Sequence, residues 1–314
     1  MKIRKTSKWL ACVGIVGAVG AGAAFGLVGS AGAASSASKA VKHASGPPVT
    51  TASFTFSVSV SGLTTSPVDV TGTGQADLAT DQASLSVNLP AVVAGLLPGG
   101  SATPETVQAV LAAGTIYLDV PSLQSLVGEP WISVTLPASA STAVNGLLSK
   151  VAFALGNVSA ITQWAQSHHA TVTSLPSSVV DGVAVTGNQI NANLGRHGAT
   201  IGATLWANSS DQLVQADLTA SASTKKHQLG VTASLDLSGY GDPVTITVPP
   251  SAQVKVIPFA TVESIIGSLL PGGGHGGHGG HGGHGGHGGK HGKHGVHHGK
   301  SGFDILSLLG ASHS

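Results

Sequence analysis

Ala52-Ser-Phe-Thr-Phe-Ser-Val-Ser-Val-Ser61 is the stretch whose reading decides the fold. Phe54, Phe56, Val58 and Val60 fall at every second position, with Ser53, Thr55, Ser57 and Ser59 between them. Successive side chains of a strand point to opposite faces, so this spacing makes a strand with one dry face and one wet face. The same alternation returns at Val68-Val70, Ala83-Leu85-Val87-Leu89, Ile116-Leu118-Val120 and Ile132-Val134-Leu136. Further on it recurs at Ile201-Ala203-Leu205, Val214-Ala216-Leu218, Leu229-Val231-Ala233-Leu235 and Val244-Ile246-Val248.

Between these runs lie polar turns, among them Thr64-Thr65-Ser66-Pro67 and Asn208-Ser209-Ser210-Asp211. Many alternating strands joined this way imply an antiparallel sheet. Gly72, Gly74 and Gly187 fall inside strand-like runs, where a missing side chain marks a bulge or bend, so the sheet is expected to curve.

Helical signals interrupt the strands. Thr103-Pro104-Glu105 offers a cap, a proline at the first helical position and an acid in the first turn, which predicts a helix to about Ala113 ended by Gly114. From Ser141 to about His168, Val144, Leu147, Leu148, Val151 and Leu155 form an apolar stripe, continued by Ile161, Trp164 and Ala165 after a break at Gly156-Asn157. A third helix is expected over 259–271. Such stripes must be buried, and the partner on offer is the dry face of the curved sheet, an arrangement that encloses apolar space.

The ends differ from the body. Lys2, Arg4, Lys5 and Lys8 precede an apolar and small-residue run, and Ala31-Gly32-Ala33 supplies a small-x-small pattern. Residues 1–34 are therefore expected to be a signal peptide cleaved near Ala33 or Ala34, which places the protein outside the cell or in its envelope. The alternative is an uncleaved anchor. Residues 35–50 read as a flexible leader, 51–258 as the domain, 272–302 as a disordered tail and 303–314 as a short apolar segment. The only cysteine, Cys12, lies in the export segment, so a disulfide or thiolate site is not expected in the mature chain.

In a chain of 314 residues of which 9% are charged, the domain between Thr50 and Pro258 carries eleven acidic and five basic side chains, a net of −6. Nucleic acid, whose phosphates need clustered Lys and Arg, is excluded as a partner on this count.

The chain contains no Gly-x-Ser-x-Gly, no Gly-x-x-x-x-Gly-Lys and no His-Glu-x-x-His. His168 and His169 read as exposed helix-end residues. Asp119, Glu129, Asp181, Asp217 and Asp236 read as carboxylates of strand ends and outer faces. No catalytic residue is assigned, and the expectation is a protein that is not an enzyme.

In the tail, His275, His278, His281, His284 and His287 recur every third residue on a glycine background, followed by His291, His294, His297 and His298. No cofactor is required by this reading, but neutral imidazoles on a loose chain suit Zn, Cu or Ni. Below their ordinary pKa of about 6.5 they become cationic and, with Lys290, Lys293 and Lys300, would favour anionic envelope surfaces.

Several segments in this order resemble the actinobacterial LppX/LprG-type lipoproteins, whose fold is also that of the LolA lipoprotein carrier. They are the opening alternation, Gly114-Thr-Ile-Tyr-Leu-Asp-Val, Glu129-Pro-Trp-Ile-Ser-Val, Val180-Asp-Gly-Val-Ala-Val-Thr-Gly, Leu205-Trp-Ala-Asn-Ser-Ser-Asp-Gln-Leu-Val and Tyr240-Gly-Asp-Pro-Val-Thr-Ile-Thr-Val-Pro-Pro. The resemblance spans about Ala52 to Val256 and implies an α+β fold: a strongly curved antiparallel sheet, a half-open barrel, wrapped around a few helices. It also implies a cavity for acyl chains and a part in moving or displaying lipids or lipidated molecules. The chain departs from the family in lacking a lipidation cysteine after the apolar run and in adding the histidine tail.

The apolar pocket expected from this reading is lined by Phe54, Phe56, Val58, Leu85, Val87, Leu118, Val134, Leu147, Val151 and Trp164. The function expected is a non-catalytic carrier of a lipid in the bacterial cell envelope. The alternatives are metal sequestration by the tail and a structural envelope module without ligand.

Overall fold

The computed structural model describes residues 49–261, apart from 63, 96, 98, 101, 194–198 and 224–227. The export segment, most of the leader, nearly all of the helix expected over 259–271, the histidine tail and the terminal apolar segment lie outside these residues.

Twelve strands form one sheet: β1 Thr51–Ser61, β2 Val68–Asp77, β3 Gln82–Leu89, β4 Glu105–Ala112, β5 Thr115–Asp119, β6 Trp131–Thr135, β7 Thr171–Val180, β8 Val183–Asn193, β9 Thr200–Ala207, β10 Leu213–Ser223, β11 Gln228–Ser238 and β12 Val254–Val256. Their order is β12-β6-β5-β4-β3-β2-β1-β11-β10-β9-β8-β7. The chain starts in the middle, meanders out to β6, returns from the opposite edge at β7 and closes β11 against β1. Neighbours are antiparallel except β12, which runs parallel to β6, so the sheet is mixed rather than wholly antiparallel. It is open and curved, and the barrel does not close.

Four helices interrupt the meander: α1 Ala91–Ala94, α2 Pro121–Val127, α3 Ala138–Leu155 and α4 Val158–Ser167. The last two match the expected stripe and break at Gly156-Asn157. They carry the chain from β6 to the far edge and meet at 98°. Their axes, about 27 and 15 Å long, reach about 31 Å end to end, whereas ten strand spacings laid flat take about 48 Å. Bowing of the sheet, with the short connectors, closes the difference.

The packing of α4 depends on a cap from another element. Asn157 turns its side chain back, Nδ2 donating to Phe153 O at 2.9 Å, and does not cap the helix. Asp211, in the β9–β10 turn, takes that place. Its carboxylate accepts from Ser159 N at 3.1 Å and from Ser159 Oγ at 2.9 Å, and its carbonyl accepts from Val158 N at 3.1 Å. The first orphan amides of α4 are thus satisfied by the sheet on which it lies.

Three expectations are corrected. The helix predicted from Thr103 to Ala113 is strand β4, and Ala113-Gly114, at φ 49° and 70°, is the two-residue turn to β5. Val107, Ala109 and Leu111 sit on one face with Thr106, Gln108 and Val110 on the other. Pairing along both edges outweighs a helix-start signal worth about 1 kcal/mol. Val244-Ile246-Val248 forms no strand: 15 residues, Gly239 to Gln253, carry the chain from β11 across to β12, and prolines at 243, 249 and 250 remove amides that a ladder would need. Gly72 and Gly74 mark no bulge. They face Phe56 and Phe54 across the β1–β2 ladder, and an added Cβ would fall 2.5 and 2.3 Å from those rings. The glycines make room for cross-strand aromatic side chains. Gly187 does both: it lies beside the irregular register at Leu175/Ser178 and under the ring of Trp206.

Candidate functional site

The register decides which side chains share the dry face. Phe54, Phe56 and Val58 stand opposite Leu237, Leu235 and Ala233 of β11. On the other side the row through Phe54 runs by Gly74 to Leu85, Ala109 and Leu118, and the row through Phe56 runs by Gly72 to Val87 and Val107. Val134 joins the face through Ile116. The sheet residues expected to line a pocket therefore lie on one face, and Val151 of α3 and Trp164 of α4 pack toward it. The side chain of Leu147 lies outside the described set.

Two separate clusters cover this face. One gathers Leu155, Val158, Ala165, Ile190, Ala203 and Leu205, so α4 and the end of α3 sit over β8, β9 and β10. The other gathers Phe56, Val58, Val70, Val87, Val93 and Ala94, so α1 sits over β1–β3. Phe54 and Leu235 touch both. Phe54 and Leu235 against both clusters, Leu218 against the first, Leu85 against the second, and Ala109 and Leu118 farther along the same face are half-buried, in contrast to Phe56, Val58, Val87 and Val134, which are buried core. The sequence could not separate these two sets, because alternation marks the face of a residue and not what lies above it.

Trp164 adds a polar mark to the dry side. Its indole Nε1 is buried and has no hydrogen-bond partner among the described residues. An orphaned buried donor is costly, so it is a feature an acceptor would satisfy. The ring lies against that of His168, tilted by 32° with 4.5 Å between centroids. His168 caps the end of α4, its Nδ1 lying 2.9 Å from Trp164 O. Both helix-end histidines are exposed, as expected.

Of the five candidate carboxylates, only Asp217 and Asp236 come together, on diagonal positions of the wet face of β10 and β11. Burial raises the Asp217 carboxyl above its ordinary value, and Asp236 pushes it the same way. Asp119 accepts from Gln124 Nε2 at 3.1 Å, and Asp181 forms the β7–β8 turn at φ 49°. Among the described residues no three His, Cys, Asp or Glu side chains gather as a metal site. The nine tail histidines lie outside these residues. No single helix among them is long and apolar enough to cross a membrane.

Two depressions open on the wet face. One, of about 380 Å³, crosses β11, β1, β2, β3 and β4, and the other, of about 390 Å³, lies over β1, β9, β10 and β11.

No family model matches the chain, and no curated protein matches it. Among solved structures it is similar to a LolA superfamily protein from Nitrosomonas europaea, with 9% identity, a TM-score of 0.26 and coverage of 70% of this chain and 96% of that one. The MucA/MucB complex of Pseudomonas aeruginosa gives 12% identity, a TM-score of 0.28 and coverage of 66% and 58%. A DUF1329 family protein from Desulfovibrio piger gives 9% identity, a TM-score of 0.22 and coverage of 72% and 95%.

Proposed function

We propose that this chain is an exported, non-catalytic carrier that holds the acyl part of a lipid or lipidated molecule on the dry face of its sheet. The observation that carries the reading is the half-buried strip of Leu118, Leu85, Phe54, Leu235 and Leu218 on the dry face, of which Phe54 and Leu235 bridge two packed clusters. Apolar side chains left in partial contact with water gain by covering. Each methylene laid against them is worth about 0.8 kcal/mol, so roughly a dozen suffice to match the mid-range cost of association. The unmet Trp164 N–H supplies a donor on the same side, suited to an ester carbonyl or a carboxylate at the polar end of such a ligand.

The resemblance of the segments from Ala52 to Val256 to LppX/LprG-type lipoproteins favours the same reading, and so does the export signal expected at the N-terminus. Metal capture by the histidine tail is a separable second activity, favoured by the three-residue spacing of His275 to His287.

Native mass spectrometry on the full chain, purified from its export host without detergent, tests the proposal. The expected spectrum carries adducts of lipid mass that organic extraction removes. A chain that is reproducibly free of adducts and fails to take up a fluorescent fatty acid overturns the proposal.

A further inference from the structure

The wet face of the sheet holds a feature that acyl binding does not use. Its alternate positions carry hydroxyls and amides over many strands, and some of these groups bond to one another. Ser57 Oγ lies 2.9 Å from Ser234 Oγ, Thr200 Oγ1 lies 2.8 Å from Ser221 Oγ, and Thr106 Oγ1 donates to Asn88 Oδ1 at 2.9 Å. In the depression over β1, β9, β10 and β11, Ser61, Thr200, Thr219 and Ser221 are already bonded, Thr219 Oγ1 donating to Gly202 O, which leaves Ser59 and Thr232 without a partner among the described residues.

The other depression differs. It runs between two rows, Thr55-Thr73-Ser86-Gln108 on one side and Ser53-Gln75-Ser84 on the other, over a floor of Phe54, Gly74, Leu85 and Ala109, positions whose side chains alternate to the dry face. Of these side chains only Thr55 has a partner among the described residues, a 3.5 Å contact to Asp236. Ser53, Thr73, Gln75, Ser84, Ser86 and Gln108 present free donors and acceptors to a trough of about 380 Å³, a volume typical of small-molecule sites. The two rows continue beyond β4. Gln108 stands opposite Asp119, which stands opposite Trp131, while Val110 stands opposite Tyr117. Two half-buried aromatic side chains thus lie on the same face, at the end of the trough.

We propose that this trough binds a neutral oligosaccharide, at a site separate from the acyl strip and on the opposite face of the sheet. Amide side chains pair with vicinal hydroxyls as both donor and acceptor, and the C–H face of a sugar ring lies against an aromatic ring. The wall has no Lys or Arg, which rules against phosphate, sulfate or uronate as the recognised group. An acyl chain would leave the free amides unpaired at a cost. A peptide strand adds to an unpaired edge, and β11, β1, β2, β3 and β4 are paired on both sides.

The test titrates the full chain at about pH 8, where the tail imidazoles are neutral, with cellohexaose, maltohexaose and mannohexaose, following the side-chain amide resonances of Gln75 and Gln108. Saturable shifts of those amides with at least one sugar are expected, together with at least a fivefold weaker response in the Gln75→Ala/Gln108→Ala double variant. Thr219→Ala, in the other depression, should bind sugar normally. Acyl-probe uptake should be unchanged in all variants, which separates this site from the strip. Silence of both amides with all three sugars, or equal binding by the double variant, overturns the proposal.

Discussion

Glycine positions show how single residues shape this sheet. The three atoms nearest to a Cβ at Gly187 would all belong to the Trp206 ring, at 2.5 to 2.9 Å, whereas one at Gly72 would meet both the Phe56 ring and the backbone oxygen of Ser86 at 2.5 Å. Gly187→Ala should therefore cost about 1–3 kcal/mol with Trp206 present and little in a Trp206→Val background. Gly72→Ala should stay costly in a Phe56→Val background. Urea midpoints of the two double-mutant cycles check this, and full rescue at Gly72 would contradict it. Asp217 makes a second prediction. Its folded-state pKa lies above the ordinary value of 3.8, so the folded form holds its proton to higher pH than the unfolded one. Stability from this group then falls as pH rises through the window above 3.8, and Asp217→Asn should be more stable than the parent near pH 7, with the difference shrinking toward acid. The three glycines stood out in the sequence. That they serve aromatic neighbours did not, because the register that pairs Gly74 with Phe54 is set by the whole meander.

Among elements, α4 is the one held most from outside. Asp211→Ala removes the acceptor for Ser159 N and Ser159 Oγ, and should cost about 1–2 kcal/mol. Amide exchange should rise first in Val158–Ser167, and uniform exchange across the sheet would contradict the assignment. Strands with regular alternation, β1 and β11 above all, were legible because a dry and a wet face leave a period of two. Strand β4 was misread because Thr103-Pro104-Glu105 imitates a helix start, although Val107, Ala109 and Leu111 alternate as well as any strand. Strand β7 left a weaker trace, since an edge strand with Pro176 and an irregular register buries little. It was not read from the sequence, and the turn Asp181-Gly182, flanked by Val180 and Val183, is the signal that could have found it. At the tip of α4 the dry side offers Trp164, and Trp164→Phe should retain packing while lowering affinity for an acyl ligand with a polar head by roughly fivefold, the value of one hydrogen bond. Unchanged affinity would take Trp164 out of the site.

Taken as a whole, the molecule is a bowed sheet whose dry face is covered at two places and left half-covered between them. The dry face itself was readable, and so was the pairing of α3 and α4 with it. What alternation cannot show is where the helices stop, and the strip exists because α1 covers one half of the face and α4 the other. Its half-buried members therefore divide from core residues such as Val58 and Val87 only in three dimensions. Leu118→Gln and Leu218→Gln, at two ends of the strip, should each weaken acyl-probe binding several-fold while leaving the fold intact by circular dichroism. The most direct measurement is photo-crosslinking of the full chain with a diazirine-bearing fatty acid, followed by mapping of the labelled residues. The strip predicts label on peptides holding Leu85, Leu118 and Leu218, competed away by unlabelled fatty acid. Label confined to the hydroxyl-rich face, or spread without competition, would contradict it.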